Sequence, residues 1–140
     1  MVDLLPGIQA TSSALSAERI RTDIIAQNIA NSMTTRGADG KIYQRQTVVF
    51  ETALQQQTAN QSAQSIPTHQ VNVKVQDDNR PPRLVPDPSN PGKMIEVPDI
   101  NVHSEMIDLI ISQRTYEANL AVAKSCRSMA LQTLTLGKRG

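Results

Sequence analysis

The chain has 140 residues, enough for one domain of ordinary size or for two helical ends with a small insert between them. A formal net charge of +1 gives no strong field for nucleic acid or acidic lipid, so the composition favours neither partner. Aromatic residues make up only 2% of the chain, and residues 52–98 hold few large apolar groups, so we expect partner chains to complete the burial of a thin core.

The first predicted element is an amphipathic helix from Leu4 to about Asn31. Apolar residues recur there at steps of four and three, and intervening alanines permit a close approach of another helix. Pro6 suits the first turn of a helix, and the polar cluster that leads to Gly37 should end it.

One short strand is predicted between Lys41 and Glu51. Side chains of alternating character follow one another there, and the turn signal Asp39-Gly40 precedes them. Residues 52–73 contain no Asp, Glu, Lys or Arg and are rich in Gln, Ser and Thr, which is typical of a loop or linker.

A second strand is predicted where Val71, Val73 and Val75 alternate with polar residues. Seven of the eight prolines fall between Pro67 and Pro98. They exclude a long helix and favour turns and extended segments after this strand.

The region from Val102 to Leu136 is predicted to form a second, longer helix of roughly 50 Å. Asn101 or Ser104 could cap its start. A mostly apolar series at heptad-like spacing comprises Val102, Met106, Leu109, Gln113, Tyr116, Leu120, Ala123, Arg127, Ala130 and Leu134. A long helix with one apolar seam needs a partner, so we expect it to pair with the N-terminal helix as a coiled coil.

Gln113 and Arg127 interrupt this seam. Polar groups at seam positions often fix the register and the partner of a helix. Alternatively, both lie at the seam edge, where an Arg stem covers apolar surface and its head stays in water. The sequence leaves both interpretations open.

No catalytic constellation is recognisable. His69 and His103 are far apart, and neither stands at metal-ligand spacing from another His or from Cys126. Asp77 and Asp78 indicate a solvated turn, and no phosphate loop or nucleophile motif is present. We therefore predict no catalytic, cofactor or metal site and a role other than that of an enzyme.

Export signals and membrane spans are also not expected. Residues 1–10 carry an acid and lack a basic segment followed by a long apolar run, which predicts no cleaved secretory signal. No window approaches the roughly 20 apolar residues that a membrane helix requires. If the protein leaves the cell, we expect it to use another route.

Motifs at both ends resemble those of bacterial flagellar rod and hook proteins. The N-terminal set is Asn28-Ile29-Ala30-Asn31, Thr34-Thr35-Arg36, Asp39-Gly40 and Tyr43-Gln44-Arg45-Gln46. The C-terminal set is Asn101-Val102, Glu105-Met106, Arg114-Thr115-Tyr116-Glu117-Ala118-Asn119, Ser128-Met129 and Thr133-Leu134-Thr135-Leu136-Gly137. The chain thus resembles the bacterial flagellar basal-body rod protein family, and its short length and ending are most like those of proximal rod members.

The resemblance implies a mainly α fold, in which long N- and C-terminal helices pair as a coiled coil like the D0 region of axial proteins. A small β-containing insert would lie between them, dividing the chain into residues 1–35, 36–100 and 101–140. The implied function is that of a structural subunit of the flagellar rod, polymerising through its terminal helices into the drive shaft that transmits torque for motility.

The resemblance also implies partners and a location. Expected partners are other copies of the chain, other proximal and distal rod proteins of the FlgB, FlgF and FlgG types, the FliE-type adapter between rod and MS ring, and the flagellar type III export machinery. The expected location is the rod in the periplasm.

Assembly contacts are expected at the apolar and motif residues of both helices. These are Leu4, Ile8, Leu15, Ile25, Asn28, Ile29, Asn31, Val102, Met106, Leu109, Tyr116, Asn119, Leu120, Leu134 and Leu136. On this hypothesis Leu15, Ile25 and Ile29 face Leu109, Tyr116, Leu120 and Leu134, either within a subunit or across subunits.

Three alternatives stay open from the sequence. The chain could be another axial protein of the same apparatus, although the ending from Thr133 to Gly137 favours the proximal rod type. It could be a cytoplasmic coiled-coil adaptor that binds one partner helix. It could also be an enzyme with an unfamiliar site, which would require a concave pocket with clustered titratable groups.

Overall fold

The computed structural model describes residues 5–37, 40–53 and 70–137, and these form two long helices joined by two β-hairpins. The elements in order are α1 (Leu5–Asn31), β1 (Gln46–Ala53), β2 (Gln70–Asp77), β3 (Arg83–Pro86), β4 (Met94–Val97) and α2 (Val102–Gly137). The prediction of a mainly helical chain with a small β-containing middle is confirmed.

Helix α1 ends in the polar cluster that the sequence indicated. The hydroxyl of Ser32 donates to the carbonyl oxygen of Ile29 at 2.8 Å. The backbone N–H of Thr34 donates to the carbonyl oxygen of Asn31 at 3.0 Å. These bonds satisfy carbonyl groups that the last turn of a helix leaves unpaired.

Helix α2 begins at a side-chain cap. The Oδ1 atom of Asn101 accepts hydrogen bonds from the backbone N–H groups of His103 and Ser104, at 3.1 and 3.3 Å. Asn101 therefore occupies the N-cap position, whereas Ser104, the other predicted cap, lies inside the first turn.

The two helices run antiparallel. Glu18 lies opposite Ser112, and Asn28, further along α1, lies opposite Glu105, which is earlier in α2.

The predicted seam consists of two lines of residues along α2, each with a spacing of seven. Only one of these lines lies on the face of α2 that contacts α1. The matching line consists of the partly buried Val102, Leu109, Ala123 and Ala130. The predicted second line, Met106, Gln113, Leu120 and Arg127, is exposed. The residues that occupy its place in the contact stand one position earlier and are Glu105, Ser112, Asn119 and Cys126. Within the subunit the predicted second line is thus incorrect, because small and polar side chains occupy the helix contact and bond across it.

The first hairpin pairs β1 with β2 in antiparallel register, with Val48 opposite Val75. It packs on α1, where the N–H of Val71 donates to the hydroxyl of Ser13 at 3.3 Å. The predicted strand from Lys41 begins later, at Gln46, because the residues before it direct their side chains into the polar contacts described below.

The second hairpin pairs β3 with β4 and places Val85 opposite Ile95. Gly92, in the turn between the strands, has a φ of 101°, a conformation that favours glycine. The sequence predicted turns and extended segments here but not their pairing. After β4 the chain enters the core, where Val97 and Ile100 are buried.

The apolar core of the described residues is small. Its buried hydrophobic members are Ala17, Ile24, Ile25, Val97 and Ile100. No helix in the described ranges is long and apolar enough to span a membrane.

Several sequence predictions concern residues outside the described ranges. Most of the predicted loop over residues 52–73 lies there, as do Leu4, Asp39 and His69.

We predict that Ile100→Ala lowers the free energy of unfolding by about 2–4 kcal/mol, because it opens a cavity in a core with few other members. Leu84→Ala is the matched control, since Leu84 is 61% exposed and its truncation should cost little. Urea denaturation followed by circular dichroism measures both. Equal losses in the two variants would contradict this assignment of the core.

Candidate assembly surface and the polar junction beneath it

Asn28 of α1 is the centre of a buried polar junction, with 1% of its surface exposed. Its Oδ1 accepts hydrogen bonds from the hydroxyl of Tyr43 and from the N–H of Gln46, both at 3.0 Å. Its Nδ2 donates to the carbonyl oxygen of Gln46 at 2.8 Å and to Oε2 of Glu105 at 3.1 Å. An Asn side chain has two donors and two acceptor sites, and all four are used here.

The paired bonds between Asn28 and Gln46 fix where the first hairpin begins. The side-chain amide donates to and accepts from the same backbone residue, as a neighbouring strand would. Gln46 is the first residue of β1, so this contact ties the start of the hairpin to α1.

Glu105 of α2 joins the same junction through Arg45. Both Nε and Nη2 of Arg45 contact Oε1 of Glu105, at 2.7 and 2.6 Å. Nη1 of Arg45 also reaches Oδ2 of Asp78 at 3.3 Å, and Arg80 contacts the same oxygen at 3.0 Å. A buried carboxylate requires such a paired cation, because an uncompensated charge away from water is costly.

The electrostatics of this junction appear in two pKa shifts. Burial alone would lower the pKa of Arg45, but the hydrogen bonds and charges of Glu105 and Asp78 outweigh it and raise that pKa. Burial, helped by the negative charges of Asp77 and Glu105, raises the pKa of Tyr43. The Tyr43 hydroxyl therefore stays protonated and keeps donating to Asn28 at neutral pH.

A second polar contact joins the helices further from the hairpins. Ser112, with 0% of its surface exposed, donates to Oε2 of Glu18 at 2.9 Å. The hydroxyl of Thr22 lies 2.9 Å from that of Ser112 and donates to the backbone carbonyl of Glu18, also at 2.9 Å. Among the described residues, every buried side-chain nitrogen or oxygen has a hydrogen-bond partner.

The outside of α2 has the opposite character. Its large exposed apolar residues are Met106, Ile107, Ile110, Ile111, Tyr116, Leu120, Val122, Met129, Leu131, Leu134 and Leu136. Tyr116 stands on the heptad line of Leu109 and Ala123, and the other ten lie off both lines that face α1. Large apolar side chains exposed together mark sites of interaction with other proteins, so this surface is the candidate assembly surface.

The residues predicted to make assembly contacts fall into three groups. Ile25 and Asn28 are buried, and Leu15, Ile29, Asn31, Val102, Leu109 and Asn119 are partly buried. Ile8, Met106, Tyr116, Leu120, Leu134 and Leu136 are exposed, and Leu4 lies outside the described residues. The structure thus brings the buried and partly buried members together between the helices and leaves the others on the surface.

Two residues predicted to face α1 or another subunit, Leu120 and Leu134, do not face α1, and Tyr116 is exposed although it stands on the line of Leu109 and Ala123. Tyr116, Leu120 and Leu134 are 38%, 36% and 70% exposed. Gln113 and Arg127 are exposed beside them, so within the subunit neither sets the helix register.

Sequence reasoning missed the polar members of the junction. It quoted Tyr43, Arg45 and Glu105 as motif residues without a role and assigned Asp78 to a solvated turn. The available signal was Glu105, an acid among the apolar residues at the start of α2, with Arg45 as a basic candidate partner.

Two concave regions border the junction. An open groove of about 860 Å³ is lined by opposite charges, including Arg36, Arg80, Glu96 and Asp99. A smaller one of about 370 Å³ lies between α1 and β1, where the guanidinium of Arg21 stands 5.9 Å from the ring centre of Phe50. Among the described residues no group of three His, Cys, Asp or Glu could hold a metal.

Two family descriptions match the chain. The family described as "Flagella basal body rod protein" matches residues 8–38, which include most of α1. The family described as "Flagellar basal body rod FlgEFG protein C-terminal" matches residues 92–136, which include β4 and nearly all of α2.

Curated relatives are similar over nearly the whole chain. The flagellar basal-body rod protein FlgC of Yersinia enterocolitica is 35% identical over 98% of this chain and 100% of its own length. The FlgC proteins of Salmonella typhimurium and Borreliella burgdorferi are 33% and 32% identical, covering 96% and 95% of this chain and 98% and 97% of their own lengths.

We predict that Asn28→Ala lowers the free energy of unfolding by about 2–4 kcal/mol, because the backbone of Gln46 and Oε2 of Glu105 lose their hydrogen bonds to Asn28. The control is Asn31→Ala, since the Asn31 side chain makes only local bonds: it donates to the backbone of Gln27 and accepts from the hydroxyl of Thr34. Thermal and urea unfolding measure both. A loss for Asn28→Ala no greater than for the control would refute the central role of Asn28.

Proposed function

The chain belongs to the FlgC family of flagellar basal-body rod proteins, and from this we propose that it polymerises through its terminal helices into the drive shaft that transmits torque for motility. Its relatives are structural rod proteins, so the chain is a structural subunit of the basal-body rod and not an enzyme. Similarity over nearly the full length supports the proximal rod type over other axial proteins.

One observation carries the proposal of polymerisation. Helix α2 buries Glu105 and Ser112 against α1 and exposes large apolar side chains to the outside. A single protein in water gains nothing from that arrangement, since burial of apolar area is the main favourable term in folding and association. Neighbouring subunits that cover α2 would supply this burial.

In the assembled rod we propose that α1 and α2 act as a D0-like coiled coil. The exposed half of the predicted seam, which includes Met106, Leu120 and Leu134, then contacts helices of neighbouring subunits. The intact antiparallel pair and the exposure of these residues support this proposal.

We also propose that different parts of the chain make different contacts in the rod. Residues 1–35 and 101–140 form the assembling helices, and residues 36–100 make contacts outside them. The two hairpins support this, because β1–β2 packs on α1 while the β3–β4 hairpin exposes Leu84 and Met94.

Export and location follow as further parts of the proposal. The protein leaves the cell unfolded through the flagellar type III machinery and reaches the periplasmic rod, where it joins FlgB-, FlgF- and FlgG-type subunits and a FliE-type adapter. The small core supports this route, because a subunit completed by its neighbours has only modest stability before assembly and is easily kept unfolded for export.

We predict that Leu134→Glu or Leu120→Glu reduces incorporation into basal bodies by at least about tenfold, because a charge is buried against a neighbour. Gln132→Glu is the control, since Gln132 is an exposed polar residue of the same helix. Quantitative blotting of purified basal bodies and of exported protein separates assembly from export. Normal incorporation of both Leu variants would rule out an assembly role for this surface.

We further predict that the amide hydrogens of α1 and α2 exchange faster in the isolated chain than in basal bodies, because neighbouring subunits complete the burial of both helices. Hydrogen exchange read by mass spectrometry on the two samples tests this. Strong protection of both helices in a monodisperse isolated chain would favour the adaptor alternative.

A further inference from the structure

We propose that one exposed face of α2 binds α1 of a second copy of the chain, in antiparallel orientation and in a single register. This contact rests on the proposed function as a rod subunit. It deepens that function, because it names which surfaces of successive copies meet.

The first surface, the outer stripe of α2, runs along the helix away from α1. It consists of Ile107, Ile111, Arg114, Ala118, Val122, Ser125 and Met129, all exposed. Ile107, Ala118 and Met129 stand eleven residues apart, as do Ile111 and Val122. An eleven-residue period corresponds to about 3.67 residues per turn, so the stripe follows the helix axis closely. Its occupant must therefore be long and lie nearly along α2.

The second surface, the outer stripe of α1, has the shape of such an occupant. It consists of Ser12, Ser16, Arg19, Asp23, Ala26 and Ala30 at steps of four and three, all exposed and most of them small. A helix face of small residues permits close approach of a partner helix that carries large side chains.

Charge complementarity selects the orientation. On α2 the stripe cation Arg114 precedes the anion Glu117, which adjoins the stripe residue Ala118, and on α1 the cation Arg19 precedes the anion Asp23. If α2 and α1 of the second copy ran parallel, Arg114 would face Arg19 and Glu117 would face Asp23. If they run antiparallel, Arg114 faces Asp23 and Glu117 faces Arg19 simultaneously.

These charges are available for an outside partner. Arg114 and Glu117 form only an exposed pair with each other at 3.4 Å, with side chains 80% and 67% exposed. Within the described part of the chain, neither Arg19 nor Asp23 takes part in an ion pair with another residue.

The register set by the charges also matches the side chains by size. It brings Ile107 opposite Ala30 of the second copy and Ile111 opposite Ala26 of that copy. The two isoleucines, 59% and 48% exposed in the single chain, would then be covered by the smallest residues of α1.

The placement of the two stripes makes the contact repeatable. On a helix of 3.6 residues per turn, each stripe lies roughly 120° round from the face that contacts the other helix. Seen from one end of the antiparallel pair, both stripes are displaced in the same rotational sense from the contact between α1 and α2. The two stripes therefore lie on opposite sides of the helix pair. A contact between two different surfaces on opposite sides is heterologous, so each copy leaves one stripe free for the next.

Crosslinking of the full chain in basal bodies tests the register. In a Cys126→Ser background, Ala30→Cys with Ile107→Cys should yield a ladder of chain multimers with a short bifunctional thiol reagent. The control, Ala30→Cys with Val122→Cys, uses the same stripes about 22 Å out of register and should yield none. No ladder for the first pair, an equal ladder for the control, or a product containing a different protein would overturn the contact.

Charge exchange provides an independent readout. Asp23→Arg and Arg114→Asp should each reduce incorporation roughly tenfold, and the two together in one chain should restore it to within about twofold. Circular dichroism melting verifies that the variants fold alike. A double variant as defective as the singles would refute the pairing, whereas absence of the unaltered chain from basal bodies would refute the proposed function itself.

Discussion

The structure depends on the need to satisfy one buried side chain, Asn28. Its amide holds the start of β1 on one side and the carboxylate of Glu105 on the other, so the position of the first hairpin and that of α2 are set by the same group. An unsatisfied buried polar group costs about 1–3 kcal/mol, so losing either contact would be costly. Arg45 extends the constraint, because the charge of Glu105 is tolerated in the interior only while that guanidinium stays in place.

Because the contact between α1 and α2 is largely polar, it contributes less hydrophobic stabilisation than an apolar helix contact would. The helix contact is selective, since Ser112 and Glu105 accept only matching partners, but it buries little apolar area. Most of the apolar surface that could stabilise the chain lies on the outside of α2. The subunit therefore has a well-defined conformation and a modest free energy of folding, and association supplies the remainder.

The sequence predicts the helices well because long periodic segments have few alternatives, and in α1 the only Pro and Gly fall in the first turn, where they are tolerated. It places α1 and α2 to within a residue or two and anticipates strands near Val48 and Val75. It misplaces one line of the helix contact, because an apolar periodicity does not say whether a stripe faces the chain's own partner helix or another molecule. It also misses the junction, whose members Arg45, Asp78 and Glu105 are separated along the chain and meet only in the fold.

The separation of the two faces of α2 has a consequence for how such subunits diversify. Residues such as Ser112 and Glu105 govern the fold, whereas residues such as Ile107 and Val122 lie where only a neighbour would contact them. Substitutions on the outer face can change which neighbouring subunit binds α2 without disturbing the pairing of α1 with α2. A duplicated copy of this chain could thus acquire a different place in a layered assembly through a few changes on one side of a single helix.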